Sequence, residues 1–289
     1  MISNYRYRPL LYFSTTFLVT YTLWFAGAYV SFLDDKRGLY MLLMLPGLAA
    51  PFLISLVMIV ISKNAEVKKD FVNRLFNPKL IQLKMLPMLI LIMPLSVVAS
   101  IFLSLLFGES ISQLQLAEGF SFSTGFVPVL ILLLLAAGFE ELGWRGYAFD
   151  SLQARYSFFT ASIVFGLLWS LWHFPLIFVN NSYQYELLNE NVWFAVNFFA
   201  SIIPMGVIIS WICVKNRKSV IAAILFHFII NISQELLQMT QVTKCIQTVL
   251  LMAVAAAIVA IDKEMFFPGD TVPGEITDGS SKANLITQN

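Results

Sequence analysis

The sequence predicts an all-α membrane protein, a polytopic bundle of about eight transmembrane helices with both termini cytoplasmic. Three observations predict it. Only 12% of the 289 residues are charged and 58% are hydrophobic, whereas a soluble domain carries about 25% charged residues. Apolar runs near the roughly 20 residues needed to cross a bilayer recur along the chain. When these runs alternate as spans, fourteen Lys and Arg fall on one side and three on the other, with Arg145 inside a helix. That asymmetry is the one the positive-inside rule expects, and a missed or invented span would scramble it.

The first run, 10–32, carries Ala26-Gly27-Ala28, which looks like a signal-peptide cleavage site. Its apolar length exceeds the roughly 7–15 residues of a signal-peptide core, so it counts as a span. Runs two and three cover 40–62 and 85–107. Between them, segment 62–78 sets Val67, Phe71, Leu75 and Phe76 among Lys68, Lys69, Asp70 and Arg74. This pattern predicts a short amphipathic helix on the cytoplasmic surface, with a solvated linker as the alternative. Segment 108–126 has no Lys or Arg and falls on the outer side. The remaining runs are 127–149, 158–179, 192–214, 220–237 and 245–261. Residues 1–264 form one transmembrane domain, and the Gly-, Pro-, Asp- and Ser-containing tail 265–289 reads as disordered. A net charge of +1 gives no sign of a nucleic-acid partner. Cys213 and Cys245 lie near ends of different runs without metal-ligand spacing and read as small apolar fillers.

Ionisable groups inside spans are rare unless paired or functional, and three of the runs hold them. The fourth has thirteen uncharged residues, then Glu140-Glu141-Leu142-Gly143-Trp144-Arg145. Glu141 and Arg145 share a face at i, i+4 in the favourable order. Glu140 lies about 100° round the helix from Glu141 and has no such partner. The fifth run contains Trp169 and His173, followed by Pro175. Glu140 precedes the turn at Ser157 by 17 residues and His173 follows it by 16. An antiparallel hairpin therefore brings the two level. Pro175 cannot donate to the carbonyl of Leu171, and a kink there would leave that carbonyl free and make room for water. The seventh run puts His227 and Asn231 four apart on one face. Counted from Lys218, His227 lies roughly 13 Å deep, while Glu140 counted from Ser157 lies about 25 Å deep.

Glu-Glu-x-x-x-Arg at 140–145, aromatic-x-x-x-His at 169–173 and His-x-x-x-Asn at 227–231 occur in order on apolar runs. Together they resemble the CPBP family, the CAAX proteases and bacteriocin-processing enzymes also called the Abi family. The resemblance covers 127–237, and Trp169 stands where that family usually has Phe. Within the family the chain is most similar to archaeal type II CAAX prenyl proteases. The resemblance implies an intramembrane endopeptidase that removes the last three residues of a prenylated Cys-a-a-X C-terminus. Glu140 would act as general base on a water, supported by His173; His227 and Asn231 would donate to the oxyanion. Glu141 with Arg145 would fix the loaded helix. The implied partners are a prenylated C-terminal peptide and the lipid bilayer, with no cofactor.

Two rivals stand beside this reading. Glu, His and His is also a catalytic zinc set, although His-Glu-x-x-His is absent and the three come from separate helices. Intramembrane carboxylates and histidines also mark proton-coupled transporters or a non-catalytic scaffold, yet the paired repeats usual in transporters are missing. For a prokaryotic source the address is the plasma membrane.

Overall fold

A computed structural model describes residues 5–33, 37–117 and 129–267 of the chain. The expected outer segment 108–126 is thus described only to residue 117, and the expected tail 265–289 lies outside the described residues from 268 onward. Apart from one isolated bridge between Leu116 and Leu237, regular structure among the described residues is helical. This bears out the all-α expectation. In hydrocarbon, helices satisfy every backbone donor and acceptor within their own segment.

Helix α1 (Pro9–Ser31) opens with Pro9 in its first turn, where the missing N–H costs nothing. Helix α2 (Arg37–Ile61) packs along α1 and contains Pro46 and Pro51. Helix α3 (Ala65–Phe76) is the expected amphipathic segment, capped by the Asn64 side chain, with Val67 and Phe71 buried. Arg74, expected on its solvated face, is buried as well. Helix α4 spans Leu86–Ser104. Helix α5 (Val129–Gly143) runs on through a π turn, Trp144–Ala148, into α6 (Phe149–Gln153). Helix α7 (Phe158–Trp172) is capped by Ser157 and ends just before His173, where a 3-10 turn takes over. Then come α8 (Tyr183–Glu190), α9 (Val192–Lys215), α10 (Val220–Glu235), α11 (Gln241–Ile261) and α12 (Lys263–Phe266). Phe266 of α12 is fully buried and packs edge-on against Phe158, ring centroids 4.8 Å apart.

Six helices among the described residues are long and apolar enough to cross a membrane: α1, α2, α4 with its flanking turns, α7 with the turn after it, α9 and α11. The other two apolar runs differ in kind. Helix α10 has 16 residues, roughly 24 Å against a hydrocarbon core of about 30 Å. Helix α5 is described only from Val129 and carries Glu140 and Glu141. These two pack against each other, with α4 and α9 also against α10 and α2 against α5. Helix α10 is thus enclosed by its neighbours, while the first turns of α5 leave Leu130, Ile131, Leu134 and Leu135 exposed.

Polar side chains serve this packing. Pro51 leaves the carbonyl of Gly47 without a helical donor, and the Thr20 hydroxyl of α1 donates to it at 2.9 Å. Pro175 does the same to Leu171, whose carbonyl accepts from Tyr21. That carbonyl was expected to stay free for water beside a kink. Instead α7 stops there and α1 supplies the missing donor. Close helix contact needs glycine at two places. A side chain on Gly143 would collide with the Pro51 backbone, and a Cβ on Gly206 would come within 2.8 Å of the Gly166 Cα.

Candidate active site

Glu140, Glu141 and Arg145 sit on the last turns of α5 and the π turn, at 6%, 0% and 1% exposure. The i, i+4 spacing gives the expected ion pair. Arg145 donates to both oxygens of Glu141 at 3.1 and 2.9 Å. Its other terminal nitrogen reaches the Ser210 hydroxyl at 3.3 Å, and its guanidinium lies 4.2 Å from the centroid of the Phe165 ring. Glu141 has a further partner that the sequence did not reveal. His227 Nδ1 lies 2.9 Å from Glu141 Oε1. An ionised carboxylate only accepts, so Nδ1 carries the proton of this bond.

The pairing sets Glu141 level with His227 along their two helices. Asp150 of α6 and Lys218, just before α10, form an ion pair at 2.9 Å. From that contact Glu141 is nine residues back along one helix and His227 nine residues forward along the other. Both therefore lie roughly 13 Å from it. The turn at Ser157 lies seven residues beyond that contact, which accounts for the difference between the two counts along the sequence.

Glu140 is held differently. Its Oε2 accepts from two indole N–H groups, Trp144 at 3.3 Å and Trp169 at 2.7 Å. Trp144 stands four residues on, so Glu140 has a local partner after all, a neutral one. Its Oε1 meets no protein donor among the described residues. His173 is half-buried, and its Nδ1 lies 2.8 Å from the Trp169 carbonyl. A carbonyl only accepts, so Nδ1 bears hydrogen and the neutral ring keeps its lone pair on Nε2. No direct hydrogen bond joins Glu140 to His173. Trp169 joins them, through its side chain to one and its backbone to the other.

Asn231 shares the α5-facing side of α10 with His227, but its amide donates to the Leu133 carbonyl at 3.5 Å. That is a long bond, and it is made to backbone rather than to any other expected site residue. Aromatic rings close the surroundings. Trp169 packs edge-on to His227 at 5.2 Å, Trp144 to Trp172 at 5.6 Å, and His173 to Phe198 at 5.8 Å. Ser210, Phe165 and Trp144 were not singled out from the sequence, and Trp169 only as the aromatic of the 169–173 motif. Of the first three, only Trp144 left a readable signal, its i, i+4 offset from Glu140. Among the described residues no three His, Cys, Asp or Glu side chains group as a metal would require.

A second polar cluster lies beyond the π turn. Asp150 pairs with Arg74 of α3 at 2.8 Å and with Lys218 at 2.9 Å, one oxygen each. Arg74 also pairs with Asp70 at 2.9 Å and donates to the carbonyls of Arg145 and Gly146 at 3.3 and 3.2 Å. Burial alone would push the Asp150 carboxyl up, but Arg74 and then Lys218 outweigh it and hold the group below the usual carboxylate range. The surface helix α3 is thus bolted to the π turn that carries Arg145.

Residues 122–233 match the family described as type II CAAX prenyl endopeptidase, Rce1-like. Over 267 residues the chain is 66% identical to CAAX prenyl protease 2 of the archaeon Methanococcus maripaludis, covering 92% of this chain and 98% of that protein.

Proposed function

The chain belongs to the Rce1-like family of type II CAAX prenyl endopeptidases, and from that premise we propose that Glu140 and His173 activate a water to cleave the C-terminal tripeptide from prenylated proteins. The protein is a multi-pass membrane peptidase. The observation that carries the reading is a pair of acceptors without a protein donor among the described residues, Glu140 Oε1 and His173 Nε2, on residues that Trp169 holds together.

A water between those two atoms directs both protons at acceptors and turns its lone pairs to the scissile carbonyl. Glu140 Oε1 takes one proton as the water oxygen bonds to the carbonyl carbon. The resulting oxyanion needs donors. His227 gives its Nδ1–H to Glu141, so it donates from Nε2 only as an imidazolium, and the Glu141 carboxylate stabilises that form. Asn231 supplies the second donor by leaving its long bond to Leu133. Each such donor contributes roughly 2.7–4 kcal/mol. Collapse of the intermediate breaks the C–N bond, and the proton on Glu140 passes to the leaving amine. A prenyl chain gains about 0.8 kcal/mol per CH₂ buried in the bilayer. The substrate therefore arrives at a site set among spans. The end holding Lys218, Arg74 and Arg155 faces the cytoplasm in this reading.

Glu140→Gln tests it. Cleavage of a prenylated C-terminal peptide should fall by about 10²–10⁴-fold while thermal unfolding stays within a few degrees; cleavage at the wild-type rate would remove Glu140 from the reaction. The zinc reading has its own assay. Activity should survive a strong chelator, and stoichiometric zinc whose removal abolishes cleavage would replace the metal-free mechanism.

A further inference from the structure

We propose that Trp169 is a positioning residue that sets both halves of the water-activating pair, its indole N–H fixing Glu140 and its backbone carbonyl fixing His173. The inference rests on the assignment of Glu140 as base. Its structural basis is the geometry of one residue. The indole Nε1 donates to Glu140 Oε2 at 2.7 Å, inside the range of charge-assisted hydrogen bonds. The carbonyl of the same residue lies 2.8 Å from His173 Nδ1.

Each bond has a separate consequence. The indole bond engages Oε2 and so leaves Oε1 as the oxygen that can receive a proton. It also satisfies a buried carboxylate without a second charge, which a cation at this position could not do. The carbonyl bond selects the histidine tautomer with its lone pair on Nε2. Because both contacts come from one residue on the last turn of α7, the separation of Glu140 and His173 follows from Trp169 rather than from how α5 and α7 happen to pack. The ring is itself held in place: it stacks on Phe165 at 5.8 Å and meets His227 at 5.2 Å, and it is 3% exposed. Phenylalanine would pack similarly but has no hydrogen to donate. Trp144, at 3.3 Å, is the weaker donor and would remain as the only one.

Two replacements separate the N–H from the ring. Trp169→Phe removes the donor and some volume, while incorporation of 3-benzothienylalanine keeps the shape and replaces only the N–H by sulfur. Both leave the backbone carbonyl, and hence the His173 contact, in place. For both, kcat on a prenylated peptide should fall about ten- to a hundredfold with KM within twofold, since the lost hydrogen bond acts on the base and not on substrate binding. In ¹⁵N-labelled protein the Trp169 indole N–H resonance should move upfield in Glu140→Gln, a change that mere packing would not produce. Full kcat in the benzothienyl protein, or an indole resonance indifferent to Glu140→Gln, overturns the proposal. If Trp169→Phe fails to fold, the isostere and the resonance still decide. An active Glu140→Gln would instead sink the base assignment. An inactive Glu140→Gln beside a fully active isostere sinks only the role of Trp169.

Discussion

One continuous helical run, Val129 to Gln153, carries two polar centres of opposite kind on either side of its π turn. Beyond the turn, both oxygens of Asp150 are ion-paired, one to Arg74 and one to Lys218, and Arg74 also takes Asp70 and two carbonyls. Before the turn, the donors to Glu140 among the described residues are two neutral indoles, and these engage one oxygen. Each histidine commits one nitrogen and keeps the other. At the outer centre every charged group is ion-paired, while the inner one leaves acceptors without a protein donor among the described residues. Chemistry requires atoms that the fold has left unfilled, whereas a structural clamp gains from leaving none. Glu141 stands between the two kinds, fully paired like the clamp yet in contact with His227.

That contrast can be attacked at three points, beginning where the largest effect is expected. Glu141→Gln removes the anion shared by Arg145 and His227. Cleavage should fall by about 10²-fold or more, as expected for loss of an oxyanion donor. Stability should fall too, by about 3 kcal/mol, because Arg145 stays buried without its counter-charge. Loss of activity without loss of stability would show that the pair contributes nothing to the fold. Arg74→Ala comes next. It should destabilise the protein by about 3 kcal/mol in denaturant or thermal unfolding, while cleavage per folded molecule stays within about threefold. A collapse of kcat in fully folded Arg74→Ala would erase the distinction between clamp and chemistry.

The smallest effect is one of pH. Asp150 is held below its ordinary pKa in the fold, so its stabilisation is fully present above the unfolded value of about 3.9 and is lost as pH falls through the lower folded value. The stability gap between wild type and Asp150→Asn should be constant from about pH 5 to 8 and close below about pH 4. A gap that narrows already between pH 8 and 5 would mean that the carboxyl is not held by Arg74 and Lys218.

What the sequence revealed follows the same division. Hydrocarbon makes any ionisable group conspicuous, so Glu140, His173 and His227 stood out, and the i, i+4 rule paired Glu141 with Arg145. The outer clamp was hidden because Arg74 lies among lysines on an amphipathic segment, where solvation is the ordinary expectation for a cation. Contacts between helices distant in sequence were hidden as well. Pairing Glu141 with His227 needs a common reference along both helices, and the turn at Ser157, from which Glu140 was counted, is displaced from the Asp150–Lys218 contact. Trp169 stood out as the aromatic of the 169–173 motif, but its hydrogen bond to Glu140 did not, since nothing local tells packing from hydrogen bonding. Among the described residues six of the expected spans are long and apolar enough to cross, while α5 is described only from Val129 and α10 is shorter. Apolar composition alone does not tell a helix that meets lipid from one such as α10, which is walled in by its neighbours.

The equal nine-residue arms from the Asp150–Lys218 contact to Glu141 and His227 bear on how the chain tolerates changes of length. Adding a residue to an α-helix turns everything beyond it by about 100°. An insertion in either arm would rotate Glu141 or His227 out of reach of the other, whereas an insertion in the turn at 154–157 would move neither. The π turn lies wholly within one arm, where its wider winding takes up one more residue per turn than an α-helix does. The arm therefore already holds a surplus residue, and deleting one between Trp144 and Ala148 would restore regular winding at the expense of alignment. Length variants should gather in the loops and avoid these two stretches, so that spacing, and not only residue identity, is a property of the site.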